Sequence, residues 1–481
     1  MSENNNSIVG GLSWSFAERI LAQLVTTVVG LILARILGPE EYGIISIVMI
    51  FITICDVFVI AGFGTAVVRK KQVDKMDFDT AFYLSFVMSI VLYIILFFTA
   101  PYIAKFFEVQ ILSTVIRVLG IRIVFTSFNN IQQTHVQRQM AFKKFFFSTL
   151  LGTTISCAIG VIMAFKGYGV WAIVGQYLTN TIINTVVLAI IGGWNPGFNF
   201  SKKRAKEIYS FGFKVLGAQL ISTAQTEIQG LLMGKYFGSS GLAYYEQGRK
   251  YPALFIVNVD AAVNKVMLPS FARVQDDLSE LKRLLRKSVR LGIYVLAPIM
   301  IGFFVVAEPF VQIVLTEKWL MCVPFLQIFC LLYLLRPLNS SCHQALLALN
   351  KVGVVITIMI IINAISFGGL FVAIFALNNP VWVGYFLLIA EFVSLLCFMI
   401  STNLIIGYKF RQQLCDLLPA ISIGVVMGLV VYAISYIQIN SIVLLAIQVI
   451  VGALMYVTLS VITKLEAFVY IKCKIKSKLR K

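Results

Sequence analysis

Polar residues recur at helical spacing inside four apolar stretches of this 481-residue chain. In the first stretch Arg19, Gln23, Thr26, Thr27 and Gly30 fall on one side. Near residue 220 the pattern returns as Gln219, Thr223, Thr226, Glu227 and Gly230. A third stretch carries Arg122, Thr126, Asn129, Asn130 and Gln133, and a fourth carries Arg336, Asn339, Ser340 and His343. Residues at i, i+4, i+7 and i+8 share one face of a helix, so each stretch presents a polar stripe. A guanidinium among amides and hydroxyls is suited to holding an anion such as a phosphate or diphosphate.

These stripes need membrane helices to carry them. The chain is 59% hydrophobic and only 13% charged, with a mean hydropathy of +0.90, more apolar surface than a soluble domain can bury. Fourteen stretches of about 20 residues, enough to cross a bilayer, can be marked. They cover 11–37, 42–66, 79–104, 111–135, 145–165, 168–192, 211–236, 241–268, 289–307, 322–348, 352–377, 381–406, 414–437 and 440–463. The fold class expected is an all-α polytopic membrane protein, with no cleaved signal peptide ahead of the first span.

The net charge of +19 lies mostly in alternate loops. Arg69 to Lys75, Arg138 to Lys144, Lys202 to Lys206, Arg273 to Arg290, Lys351, Lys409 and the segment from Lys464 onward carry it, whereas the intervening loops hold little beyond Lys105, Lys166 and Lys318. That asymmetry predicts a cytoplasmic basic side with both termini inside, and explains the charge without nucleic acid. From Asp276 to Arg290, Leu278, Leu281, Leu284, Leu285 and Val289 oppose five basic residues, which reads as an amphipathic helix on the membrane surface.

The stripes also reveal a duplication. Leu33-Ala34-Arg35-Ile36-Leu37-Gly38-Pro39-Glu40-Glu41-Tyr42-Gly43 has a looser copy from Met233 to Leu242, with Arg35 falling on Lys235 and Gly38 on Gly238, 200 positions on. Arg19 then falls on Gln219, Gln23 on Thr223 and Gly30 on Gly230. At an offset of 210, Asn129 falls on Asn339 and Gln133 on His343. Two parallel six-helix repeats are expected, 1–200 and 201–410, followed by two further helices and a basic tail at 411–481. The first motif copy reads as the hairpin between spans 1 and 2.

Thirteen charged groups fall within or near spans: Glu18, Arg19, Asp56, Arg117, Arg122, Glu227, Glu246, Arg249, Lys250, Asp260, Lys265, Arg336 and Glu391. A charge at the bilayer centre costs about 2.5–3.5 kcal/mol on insertion scales, so these groups pair, snorkel or line a wet cavity. Both pairing and cavity lining remain open for the stripe residues. The surplus of cations favours an anionic ligand, with Arg19, Arg122, Arg249, Lys250 and Arg336 as its candidate contacts. Phosphate-binding glycine loops, zinc-protease and serine-hydrolase motifs are absent, which argues against an enzyme. The eight cysteines and two histidines show no metal-ligand spacing.

Gly11 to Trp14, the Leu33–Gly43 motif and Gly62-Phe63-Gly64-Thr65-Ala66 before a basic loop resemble the bacterial polysaccharide exporters and flippases of the colanic-acid and O-antigen type. These belong to the multidrug/oligosaccharidyl-lipid/polysaccharide exporter superfamily. Gly238 to Tyr245, Pro252, Leu268 to Phe271 and Lys318-Trp319 extend the resemblance over essentially the whole chain. It implies a V-shaped, bilobed transporter that turns an undecaprenyl-diphosphate-linked oligosaccharide across the cytoplasmic membrane by alternating access. It further implies no cofactor beyond a coupling ion, H+ or Na+, with Glu18, Asp56 and Glu227 as the carboxylates to carry it. The partners implied are the lipid-linked glycan, membrane lipids and the polysaccharide polymerase with its chain-length machinery, around a monomeric protein. An ion-coupled drug exporter of the same fold and a lipid II-type flippase are the alternatives. Spans 13 and 14 resemble the lipid-tail groove helices of the lipid II flippase branch.

Overall fold

The computed structural model describes residues 21–60, 62–70, 72–437 and 439–479, excluding the side chains of residues 211, 214, 218, 258, 261–266, 471 and 474–479. The described residues form helices joined by turns and loops, without strands. Eleven helical segments are long and apolar enough to cross a membrane, so the protein is a multi-pass membrane protein. The chain divides into two compact units, Met1–Ala243 and Tyr244–Lys481.

In the first unit the helices are α1 (Leu21–Ile36), α2 (Pro39–Ile60), α3 (Phe63–Arg69), α4 (Lys75–Phe107), α5 (Ile111–Arg138), α6 (Phe142–Phe165), α7 (Val170–Ile191) and the first part of α8 (Lys202–Arg273). The Leu33–Gly43 motif is the α1–α2 turn. Pro39 opens α2, where its missing N–H costs nothing, and Glu40 and Glu41 fill the first turn against the helix dipole. The Gly38 N–H donates to the Glu41 carboxylate at 2.9 Å, and the Tyr42 hydroxyl donates to the Gly30 carbonyl of α1 at 3.0 Å. The second copy behaves differently. Ser239 stands where the first copy has Pro39, so its backbone retains a donor, and α8 is interrupted at Gly238, whose φ of 74° and ψ of 175° are non-helical. The expected spans 211–236 and 241–268 thus fall on two helical stretches of α8 that meet at the register glycine.

Helix α5 packs against α2, α4 and α7, which places the Arg122 stripe inside the unit. Arg138, at its last turn, donates to the carbonyls of Val67, Val68 and Lys70 at 2.7–3.0 Å and so caps the end of α3. The α3–α4 turn is tied by a capping box between Asp74 and Asp77. Arg204 bonds Asp74 across that turn and holds its carboxyl below the usual carboxylate range.

The second unit contains the rest of α8, α9 (Leu278–Val305), α10 (Ala307–Phe310), α11 (Val323–Ala348), α12 (Val352–Val372), α13 (Val381–Ile406), α14 (Phe410–Ile434), α15 (Ser441–Ile462) and α16 (Glu466–Leu479). Helix α9 packs on α11 and α14, and α13 packs on α11 and α12. The amphipathic segment expected on the membrane surface is the first half of α9, which runs unbroken to Val305. Leu281, Leu285 and Val289 are fully buried, so the apolar face of this segment meets protein rather than lipid.

Its basic face meets one acid. Asp416 of α14, whose side chain is 0% exposed, accepts from Arg286 at 2.7 and 2.9 Å, from Arg290 at 2.6 Å and from the Tyr408 hydroxyl at 2.6 Å. Removing the carboxylate strands Arg286 and leaves Arg290 with Glu466 alone. Asp416→Ala is therefore expected to destabilise by less than the roughly 3–5 kcal/mol of a fully buried pair, because both arginines keep some exposure, with Asp416→Asn costing less again. Thermal unfolding of the detergent-solubilised protein measures both, and equal melting of Asp416→Ala and wild type would refute the role.

Candidate functional site

In the first unit the candidate site lies where α5 meets α2 and α7. Thr126 and Asn129 follow Arg122 by one and two turns, as the helical spacing requires. The Arg122 Nη2 lies 3.4 Å from Oδ2 of Asp56 on α2. Its Nε donates to the Thr181 hydroxyl of α7 at 3.2 Å, and the Tyr177 ring centre lies 6.0 Å from the guanidinium carbon. Asp56 is only 13% exposed, and its Oδ1 has no hydrogen-bond partner among the described residues. Two turns along, Gln133 donates to Asn129 at 2.5 Å, leaving the Asn129 amide nitrogen buried and unsatisfied. This is a half-open ion pair beside spare hydrogen-bonding capacity.

The second unit repeats the arrangement. Arg336 of α11 lies 3.5 Å from Oδ2 of Asp260 on α8 and 3.9 Å from Glu391 of α13. Its side chain is 46% exposed. Asn339, one turn on, donates to Glu391 at 2.6 Å. Asp260 Oδ1, like Asp56 Oδ1, lacks a hydrogen-bond partner among the described residues, and so does Asn339 Oδ1, where in Asn129 it is the amide nitrogen that is unsatisfied. The acids are 204 positions apart and the arginines 214, so the arginine has moved one helical turn relative to the asparagine register and kept its face.

The remaining candidates are more scattered. Arg249 is paired with Glu246 at 2.7 Å on its own helix and lies 5.8 Å from the Tyr245 ring centre. Lys250 has no carboxylate within ion-pair distance among the described residues. Gln23 donates to Thr27 at 3.4 Å on the exposed side of α1. Gln219 is exposed, and Thr223 and Glu227 are half-buried on α8. Glu18 and Arg19 lie outside the described residues. Asp260 and Glu391 were visible in the sequence as intramembrane charges but not as the partners of Arg336 and Asn339. Their sequence separations, 76 and 52, hide the pairing.

Paired arginines change the electrostatic argument. Arg122 and Arg336 each arrive with a carboxylate partner, which makes their burial tolerable. A guanidinium held loosely by one carboxylate can exchange that partner for a phosphate oxygen, with which it forms stronger bidentate bonds.

Residues 32–324 match the family described as polysaccharide biosynthesis protein. The chain belongs to that family. It is 22% identical over 437 residues to the lipopolysaccharide biosynthesis protein WzxC of Escherichia coli strain K12, covering 88% of each chain. It is 22% identical over 350 residues to the succinoglycan biosynthesis transport protein ExoT of Rhizobium meliloti strain 1021, covering 73% of this chain and 70% of that one. Among solved structures, the lipid II flippase MurJ in an inward closed conformation superposes with a TM-score of 0.73 at 16% identity, over 92% of this chain and 98% of that chain. That likeness concerns the fold. The protein is thus a multi-pass member of a polysaccharide-export family and not an enzyme.

Proposed function

We propose that the chain carries an undecaprenyl-diphosphate-linked oligosaccharide across the cytoplasmic membrane by alternating access, driven by an ion gradient. The observation that carries this reading is the duplicated stripe pair: Arg122 with Asp56 in the first unit, Arg336 with Asp260 in the second. Diphosphate oxygens would displace the carboxylates, and Lys250 supplies a further cation. Asp56 is the coupling carboxylate of this reading, with Glu18 and Glu227 as the other candidates and H+ or Na+ as the ion. The polar stripes, Gln23 and Thr27 on α1 and Gln219 and Thr223 on α8, would meet the glycan.

An apolar groove of about 440 Å³ within the second unit supports the lipid half of the substrate. Pro298, Ile299, Phe303, Met427, Gly452 and Val457 line it, on α9, α14 and α15. It suits a polyprenyl tail, which needs apolar contact and no polar partner. The repeat boundaries 1–200, 201–410 and 411–481, fourteen spans, a monomeric state and cytoplasmic termini belong to the same proposal. So does handover to a polymerase. The positive charge of alternate loops supports the orientation.

Deletion of the gene tests the function. The strain is expected to accumulate the lipid-linked oligosaccharide inside the cell and to lose the surface polysaccharide, both reversed by the wild-type chain. An unchanged lipid-linked pool with normal surface polysaccharide would overturn the proposal.

A further inference from the structure

Away from the stripes, the second unit contains a cavity of about 840 Å³ between the first turns of α9 and the junction of α15 with α16. Six cations line it: Lys282, Arg283, Arg286, Lys287, Arg290 and Lys464. Glu466 is the single acid among its lining residues. The arginines are engaged: Arg283 with Glu280, Arg286 with Asp416, and Arg290 with both Asp416 and Glu466. The lysines form no ion pair among the described residues. Lys282 donates only to the Gly407 carbonyl at 2.7 Å, and the Lys287 ammonium sits 3.8 Å from the Tyr470 ring centre. Three acids against six cations leave a surplus of three positive charges at one concave site.

The other wall is apolar, formed by Leu284, Leu291, Ala467 and Val469. The location matters as much as the composition. Helices α9 and α15 are both long and apolar enough to cross the membrane, and the charges in the first turns of α9 and just after α15 put this end of both helices toward the bilayer boundary. At that depth a lipid phosphate meets the water interface and its acyl chains turn into the hydrocarbon. A soluble phosphate would satisfy the lysines but gain nothing from the leucines.

We propose that this cavity is a binding site for the headgroup of an anionic glycerophospholipid, its phosphate held by Lys282, Lys287 and Lys464 and its upper acyl chain lying on Leu284, Leu291 and Val469. The site is separate from the stripe pairs and does not depend on which glycan the protein carries. Its occupant would brace α16 against α9, adding to the Arg290–Glu466 contact.

The test uses the purified full-length chain. After delipidation it is offered phosphatidylglycerol and phosphatidylcholine with the same acyl chains, and the lipid retained is counted by native mass spectrometry. Wild type is expected to prefer phosphatidylglycerol by at least about tenfold, since each surface cation contributes about a factor of five. The triple variant Lys282→Ala/Lys287→Ala/Lys464→Ala is expected to bring the two lipids near parity. The triple lysine-to-arginine variant should keep the preference, which separates lost charge from lost folding. Millimolar inorganic phosphate should leave the lipid bound. Parity in wild type, or an undiminished preference in the alanine variant, would overturn the proposal. Displacement by inorganic phosphate would also overturn it, by making the cavity an aqueous anion site.

Discussion

Arg122→Ala is expected to abolish glycan export and to lower the amount of protein in the membrane, and adding Asp56→Asn is expected to restore the amount but not the export. The two effects have different causes. Removing the guanidinium leaves a largely buried carboxylate without its counter-ion, a loss that reaches about 3–5 kcal/mol for fully buried pairs and is smaller here because both partners keep some exposure. Neutralising Asp56 removes that penalty. It does not return a group able to bind phosphate, and losing such a charge-assisted contact costs about 2–5 kcal/mol, or roughly 30- to 5,000-fold in binding. Asp56→Asn alone keeps Arg122 bonded to Thr181 and is expected to bind substrate while losing its dependence on the ion gradient. Arg122→Lys should fall between, because an ammonium keeps the charge but not the Nε–H that reaches Thr181. Complementation of the deletion strain, read as the lipid-linked pool and surface polysaccharide against membrane level by immunoblot, separates these outcomes. Wild-type export by Arg122→Ala/Asp56→Asn would remove Arg122 from the transport mechanism.

The membrane helices were legible because hydropathy over about 20 residues directly records the solvent each segment meets. The motif copies 200 residues apart and the recurring stripes are visible in the sequence too. What the sequence concealed is pairing. Counting signs along the spans shows more cations than acids, but Asp56 and Arg122 are 66 positions apart, and only the packing of α2 on α5 shows that they neutralise each other. Asp416 was missed for a related reason: one acid near the start of an apolar run looks like a boundary residue until α9 brings two arginines onto it. The amphipathic pattern at 276–290 was correctly read as a helix and wrongly assigned to the membrane surface. Its hydrophobic face has the same periodicity whether it meets lipid or the leucines of a neighbouring helix.

Gly43→Ala is expected to destabilise the protein more than any other single methyl addition along the α2–α8 seam. A Cβ at residue 43 would stand 1.9 Å from the Ser239 carbonyl oxygen and 2.7 Å from its Cα, both backbone atoms that no rotamer change can move. The two motif copies therefore touch: the glycine closing the first meets the serine that follows Gly238 in the second. From there the seam runs antiparallel, Ile47 against Gly234 and Ile50 against Gly230. Small residues on one helix let large ones on the other approach closely, which is the main source of helix association in lipid. Relieving the clash requires α2 and α8 to part by more than an ångström, which loosens the isoleucine contacts as well. Overpacking usually costs about 1–3 kcal/mol where side chains can yield, and here they cannot, so about 3 kcal/mol and a fall of roughly 3–6 °C in melting temperature are expected. Gly217→Ala on the same α8 is the control. Its added methyl meets nothing within 4 Å, and alanine is the better helix former, so its melting temperature should match or exceed wild type. If Gly43→Ala melts with Gly217→Ala, the close approach of the motif copies contributes nothing to stability. If it falls as expected, the Leu33–Gly43 segment is constrained by packing.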